Sequence, residues 1–153
     1  MKTLARPAAV LEALDGILAD EFVLTVKTRN FHWNVEGPRF VELHKLFEEQ
    51  YARLSEFVDQ VAERTRALGG YALGSTVELL KHATLKEQAG RVPSDKEMVS
   101  QLALDHAALS KRLAQAVSGC QDSDPGTADL LTGILAEHDK AAWMLRSLGV
   151  ERR

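Results

Sequence analysis

Cysteine is nearly absent from the 153-residue sequence, since Cys120 is its only example, and a disulfide framework within the chain is therefore excluded. The sequence also lacks any run of about 18 consecutive apolar residues, which argues against a transmembrane helix. Its N-terminus has neither the continuous apolar core nor the small-residue cleavage site of a secretory signal. These absences favour a cytoplasmic protein in a reducing compartment, without a membrane partner.

The sequence also has only a small excess of negative over positive charge. The formal net charge at pH 7 is -3, so the chain has no general attraction for nucleic acid or anionic membranes, and any DNA binding must come from a local basic patch. The apolar fraction of 45% and the charged fraction of 27% are typical of a soluble globular protein. The length fits one domain, which we predict over residues 1–153, with residues 1–6 as a short N-terminal arm.

Apolar residues recur at helical spacing in four long segments, which predicts an all-α protein. Proline, glycine and capping residues set the predicted helix bounds at Pro7 to about Asn34, Pro38 to about Leu68, Ser94 to Gly119, and Asp124 onward. Between the second and third of these helices, a capping-box pattern at Ser75–Glu78 predicts a short helix over residues 76–82. One long crossover connection is typical of the ferritin-like four-helix bundle, which is the fold we predict.

Some polar residues lie within the apolar stripes. Glu21 and Thr25 interrupt the stripe of the first helix, and we expect them at a helix edge that faces water or another subunit. A single histidine on a helix is usually a surface or core residue, and we assign that role to His82, His106 and His138.

A second group of polar residues has the composition of a metal site. The five potential ligands are His32, His44, Glu48, Asp59 and Glu63. His44 and Glu48 are four residues apart on the second helix, as are Asp59 and Glu63, so each pair shares one helix face. At a rise of about 1.5 Å per residue, His44 and Glu63 are roughly 28 Å apart along the axis. Metal–ligand bonds are only about 2.0 to 2.2 Å long, so one straight helix cannot close both pairs around one ion.

Two copies of the chain would solve this problem. If two such helices pack antiparallel about a two-fold axis, the His44 end of one chain faces the Asp59 end of the other, and symmetry creates the site twice. His32 would join His44. Imidazole and carboxylate ligands without a thiolate favour a redox-active iron, while manganese and zinc remain open. The chain contains no Glu-x-x-His, which argues against an iron site within one bundle.

Four sequence motifs carry a resemblance to a known family. They are N-F-H-W-N-V-x-G-x-x-F, L-H-x-x-F-E, D-x-x-A-E-R and L-G-G, and together they resemble the mini-ferritins called DNA-binding proteins from starved cells, the Dps family. The resemblance implies a ferroxidase centre between subunits, formed by the residues that match the five ligands above. Glu48 stands where many members have Asp. It also implies a hollow dodecamer, built from two-fold dimers, that oxidises Fe(II) with peroxide or dioxygen, stores ferric mineral and protects against oxidative damage.

The resemblance suggests roles for other residues. Trp33 has the ordinary role of core or interface packing, and the resemblance adds a place beside the iron, where it would affect electron transfer. Asp122, Asp124 and Asp129 cluster at the start of the fourth long helix, where acids stabilise the helix N-terminus. In the family, acids of this region line negative pores that guide Fe(II) inward. We therefore predict a pore role alongside helix capping.

DNA binding is the alternative function. In the family it often depends on a flexible tail rich in Lys and Arg, but here the arm carries only Lys2 and Arg6, and the C-terminal pair Arg152–Arg153 adds little. We therefore expect weak DNA binding at most, although a dodecamer would strengthen it through avidity. The alternative is a nucleoid-compacting protein whose ferroxidase activity is secondary. A third interpretation is a scaffold bundle without chemistry.

Overall fold

The computed structural model describes residues 8–149, so the expected N-terminal arm, the proposed helix entry at Pro7 and the C-terminal basic pair lie outside the described residues. The helices are α1 (Ala8–Asn34), α2 (Phe40–Ala67), α3 (Thr76–His82), α4 (Asp95–Cys120) and α5 (Pro125–Gly149). The described part of the chain contains no strand. The predicted all-α bundle, with its extra short helix between α2 and α4, is confirmed.

The four long helices form the bundle by burying apolar side chains against one another. α2, α4 and α5 each bury one stripe, whereas α1 is buried on most of its faces over residues 16–24. α1 packs chiefly against α2, and α4 chiefly against α5, while α1 also contacts α3 and α4. The largest fully buried side chains include Leu14, Ile17, Leu24, Phe47, Leu54, Met98, Leu102 and Leu131. Within residues 8–149, every helix is either too short or too polar to span a membrane.

Local capping fixes several helix ends. The capping box predicted at Ser75 is present, since Ser75 accepts a hydrogen bond from the backbone N–H of Glu78 at the start of α3. A second capping box starts α4, where Ser94 accepts a hydrogen bond from the backbone N–H of Glu97. Gly37, between α1 and α2, has a φ of +112°, which lies in the left-handed region that favours glycine. This turn returns the chain along α1 and sets the relative register of the two helices.

The crossover between α3 and α4 is held against α1 by buried polar side chains. Asp20 accepts hydrogen bonds from the backbone N–H of Thr84 at 2.6 Å and of Leu85 at 3.0 Å. Lys27 donates to the carbonyl oxygen of Lys86 at 3.0 Å, and its Nζ lies 2.8 Å from Asp105 of α4. Backbone groups of Thr84, Leu85 and Lys86 are thus hydrogen-bonded by the charged side chains of α1 and not by a helix or strand.

Candidate metal centre

His32 and His44 meet where α1 turns into α2. His32 belongs to the last turn of α1, and His44 lies about one turn after the start of α2. Their rings stack with centroids 3.8 Å apart and an interplanar angle of 15°. His32 is 7% exposed and His44 is half-buried. The turn at Gly37 brings together two side chains that are 12 residues apart in the sequence.

The two histidines are fixed by reciprocal hydrogen bonds. Nδ1 of His32 lies 2.7 Å from the carbonyl oxygen of His44, and Nδ1 of His44 lies 2.8 Å from the carbonyl oxygen of His32. A carbonyl oxygen can only accept, so each Nδ1 must carry the proton and donate it. In a neutral imidazole, Nε2 then keeps its lone pair, which is the arrangement of a metal ligand held by its outer partner. Both Nε2 atoms are therefore suited to binding a cation.

Aromatic neighbours hold these rings in place. The ring of Phe40 stacks on His44 with centroids 5.0 Å apart, and the edge of Tyr51 meets His32 at 5.2 Å. These contacts limit rotation of both imidazoles, because packed aromatic rings leave little free volume around them.

The three acidic candidates all lie on α2 and are exposed in the single chain. Glu48 follows His44 by one turn, whereas Asp59 and Glu63 lie in the C-terminal half of the helix. The helix is continuous over Phe40–Ala67, so His44 and Glu63 are separated by roughly 28 Å along its axis. Within residues 8–149, no three histidine, cysteine or acidic side chains converge on a point that could hold a metal ion. One chain thus presents the predicted ligands in two separate halves.

A groove of about 440 Å³ runs along the face shared by α1 and α2. Its lining residues are Phe22, Thr25, Val26, Arg29, Trp33, Ser55, Val58 and Asp59. Trp33 is 67% exposed and Val26 is 41% exposed, so this face carries apolar side chains without cover in the single chain. Trp33 therefore does not pack in the core of its own chain, and its predicted interface role and its place beside the metal both require a second chain.

The three aspartates near the start of α5 differ in their surroundings. Asp124 is only 2% exposed, accepts hydrogen bonds from the backbone N–H of Thr127 at 3.2 Å and from its hydroxyl at 2.6 Å, and lies 2.8 Å from Nη2 of Arg64. Asp122 and Asp129 are exposed. The predicted capping role of Asp124 is thus present, but its burial disagrees with the predicted pore role, which we retain only for Asp122 and Asp129.

A buried polar cluster in the bundle was missed by the sequence analysis. Nε2 of His138 lies 2.8 Å from Oε1 of Glu21, and Nδ1 of His138 lies 2.8 Å from Nδ1 of His106. The expectation that Glu21 lies at a solvent-facing or intersubunit edge is wrong, because it is 0% exposed within its own chain. The signal was its position on the apolar stripe of α1, which faces the bundle core.

Burial controls the protonation of this cluster. Burial raises the pKa of Glu21, and the adjacent His138 opposes that rise. Burial, together with the neighbouring His138, lowers the pKa of His106 to about 3. His106 is therefore a neutral imidazole at physiological pH.

Comparison with known proteins agrees with this architecture. The chain matches the family model of the ferritin-like domain over residues 11–151. It is 51% identical to a low-temperature-induced protein of Nostoc, over 90% of this chain and 78% of the relative. It is 38% identical to DNA protection during starvation protein 2 of Bacillus anthracis, over 90% of this chain and 94% of the relative.

Solved structures give the same picture. The chain superposes on Dps from Staphylococcus aureus with a TM-score of 0.92 and 34% identity, covering 97% of this chain and 99% of that one. It also superposes on a Dps protein from Vibrio cholerae with a TM-score of 0.88 and 28% identity, covering 95% and 97%. The Vibrio protein is described as a member of a broad superfamily of ferritin-like diiron-carboxylate proteins.

Proposed function

Because the chain belongs to the Dps family of ferritin-like proteins, we propose that it is an iron-storage and detoxification mini-ferritin that oxidises Fe(II) at sites shared between two chains. The observation that carries this proposal is the reciprocal hydrogen bonding of His32 and His44, which leaves both Nε2 atoms as ligands. The description of the Vibrio relative as a member of a broad superfamily of ferritin-like diiron-carboxylate proteins supports iron as the metal.

Each proposed site combines the two ligand halves of different chains. His32, His44 and Glu48 of one protomer would face Asp59 and Glu63 of the partner subunit in an antiparallel, two-fold dimer. The exposed groove containing Val26 and Trp33 supports this dimer, because contact with a second chain would remove these apolar side chains from water. We propose further that six such dimers form the hollow dodecamer expected of the family.

The histidines and the carboxylates have different roles toward the substrate ion. The imidazole nitrogens of His32 and His44 bind Fe(II) without adding charge, and the carboxylates balance the higher charge of the ferric product. Hydrogen peroxide takes one electron from each of two Fe(II) ions and, with protons from solvent, becomes water. No hydroxyl radical is released by this two-electron route, which gives the proposed protection against oxidative damage. Dioxygen is the second candidate oxidant.

The proposal is tested by adding Fe(II) anaerobically to the apo-protein, followed by peroxide or air, while Fe(III) formation is recorded. We expect fast oxidation and soluble mineral in the parent and slow oxidation in His32→Ala/Asp59→Ala. The matched control Glu12→Ala/Glu87→Ala removes two exposed acids elsewhere and should oxidise iron like the parent. Equal slow rates in the parent and in His32→Ala/Asp59→Ala would reject the ferroxidase function.

Iron entry is a separate part of the proposal. Asp122 and Asp129 expose carboxylates near the start of α5, and a symmetric ring of such groups would concentrate cations at a pore. We expect Asp122→Asn/Asp129→Asn to slow iron uptake and to weaken its dependence on salt. Salt slows uptake in the parent by screening the attraction between these carboxylates and Fe(II), and the variant lacks that attraction. Unaltered uptake and salt dependence would remove the pore from the proposal.

DNA protection is the second candidate function, and the name of the Bacillus anthracis relative favours it. The formal net charge of -3 opposes strong DNA binding, so we propose a cytoplasmic protein that reaches the nucleoid only through weak, multivalent contacts. Gel retardation at low and physiological salt separates the functions. A DNA complex that persists at physiological salt would make DNA compaction the primary role.

A further inference from the structure

The buried Glu21–His138–His106 cluster links three helices through two hydrogen bonds in series. Glu21 lies on α1, His138 on α5 and His106 on α4, and none of the three is more than 2% exposed. The candidate metal centre uses none of them. Burying three ionisable groups in a bundle core is costly unless they are compensated, so the cluster requires an explanation.

The cluster ends at a cavity of about 250 Å³ between α2, α4 and α5. His106, His138 and Gln50 all contribute to its wall. Nε2 of His106 and both amide atoms of Gln50 are shielded from solvent, and none has a hydrogen-bond partner within residues 8–149. Gln50 is 8% exposed and His106 is 2% exposed. Two buried polar side chains with unsatisfied atoms therefore belong to the wall of one partly open cavity.

The proton positions in the cluster determine what His106 offers to the cavity. If Glu21 is ionised and His138 is neutral, His138 donates from Nε2 to Glu21 and must accept at Nδ1 from His106. Nε2 of His106, a residue of the cavity wall, then carries a free lone pair, and the cluster has one negative charge. If His138 is also protonated at Nδ1, the cluster is neutral, and Nε2 of His106 carries an N–H without an acceptor. A bound cation would take the place of that additional proton.

We propose that this cavity binds a divalent transition-metal cation through Nε2 of His106 and the side-chain oxygen of Gln50, with water completing the coordination. His138 and Glu21 would act as positioning residues, because the series of hydrogen bonds fixes the tautomer of His106 and supplies a compensating carboxylate.

The ligand types select the class of cation. An imidazole nitrogen with an amide oxygen suits Zn(II), Fe(II) or Co(II), whereas Mg(II) and Ca(II) prefer sites made of oxygen alone. The rim of the cavity contains Glu49 and Glu137 as well as Arg53 and Lys140, so entry is not governed by charge of one sign. The hydrogen bonds run end to end rather than converging, which limits the direct protein ligands to two.

The test uses Zn(II) as the probe in crystals of the assembled protein, with anomalous scattering to locate it. The background is His32→Ala/Asp59→Ala, which disables the candidate metal centre. We expect a zinc peak about 2.0 to 2.1 Å from Nε2 of His106. A cavity filled only with water at saturating Zn(II) would overturn the proposal. Because the position of the ion is measured, this result is independent of whether the protein oxidises iron.

Affinity measurements on two variants separate metal binding from a structural role. Calorimetric titration in the same background should show loss of the cavity site in His106→Gln and about 10–100-fold weaker binding in Glu21→Gln. Glu21→Gln keeps an oxygen that accepts from His138 but removes the negative charge. Unchanged zinc affinity in Glu21→Gln would contradict the positioning role. If His106→Gln fails to fold, the anomalous peak in the background protein alone decides the proposal.

Discussion

His32 and His44 each donate a hydrogen bond to the backbone carbonyl of the other, so one pair of side chains fixes the turn and leaves both Nε2 atoms available for the proposed metal binding. We predict that His44→Phe lowers the free energy of unfolding by only about 1 kcal/mol, since it removes one hydrogen bond and keeps a stacking ring. The rate of Fe(II) oxidation should fall by more than about 10-fold. Loss of a residue that only hydrogen-bonds a metal ligand already costs about 10–100-fold, and His44 is itself a proposed ligand. Urea unfolding and stopped-flow absorbance measure the two quantities.

The matched control for this variant is His82→Phe, which changes an exposed histidine on α3. It should change the unfolding free energy by no more than about 0.5 kcal/mol and leave the oxidation rate unaltered. A large loss of stability in His44→Phe would mean that the histidine pair acts mainly as a structural element.

Complementation between chains tests whether the ligand halves belong to different subunits. Chains carrying His32→Ala/His44→Ala, co-assembled with chains carrying Asp59→Ala/Glu63→Ala, should regain one of the two sites in each mixed dimer. Each variant alone should have none, because both of its sites lack one half. Oxidation rates of the purified mixed protein, tagged separately on each chain, provide the measurement. Absence of recovery in a verified mixed dimer would exclude a shared site.

Asp124 should contribute more to stability than its exposed neighbour Asp122. Asp124→Ala removes both the N-cap of α5 and the ion pair with Arg64, and we expect it to cost about 2 to 3 kcal/mol, with the ion pair discounted because Arg64 is partly exposed. Asp122→Ala should change stability by less than about 0.5 kcal/mol. Thermal unfolding monitored by circular dichroism distinguishes them. Asp124→Asn, which keeps a capping side chain, should fall between the two.

The exposed groove along α1 and α2 predicts a position where one charge disrupts assembly. Val26→Asp should weaken dimer formation by more than about tenfold, because an unpaired carboxylate would be buried against the second chain. Val26→Ala keeps the surface apolar and should assemble like the parent. Light scattering reports the mass, and circular dichroism checks that the helices persist. If Val26→Asp assembled normally, this face would not be the dimer contact.

The polar cluster in the core should show strong non-additivity. In metal-free buffer, Glu21→Leu alone should cost about 3 to 5 kcal/mol, because it leaves His138 buried without its partner. Replacing Glu21, His106 and His138 together by Leu should cost less, since apolar side chains of similar volume often replace a buried ionic group without loss. Urea unfolding at one protein concentration gives the comparison. Additive losses would indicate independent packing roles.

The sequence was informative where structure depends on nearby residues. The bounds of α3 and α4 followed from the capping boxes at Ser75 and Ser94, in which both partners lie within three residues. The pairing of His32 with His44 also depends on a short segment, because the turn at Gly37 lies between them. In such local patterns, both interacting residues lie within one short segment of the sequence.

Prediction from sequence failed where the partner is distant along the chain. The position of Glu21 on the apolar stripe of α1 indicates burial, but its partner His138 lies 117 residues later, and no local pattern identifies that partner. Asp124 is held by Arg64, 60 residues earlier, so its exposure could not be derived from the cluster of acids around it. The proposed grouping of the five iron ligands requires a second chain, and the complementation experiment above tests that arrangement directly.

The length of α2 determines when the proposed oxidation can begin. Because roughly 28 Å of continuous helix separates His44 from Glu63, a newly synthesised chain cannot assemble both ligand halves by itself. In the proposed mechanism, oxidation at these residues begins only after two subunits have associated, so its onset depends on the concentration of the protein. Under the same proposal, an isolated subunit would not oxidise iron, and the oxidant would be consumed only where a second subunit supplies the other half of the ligands.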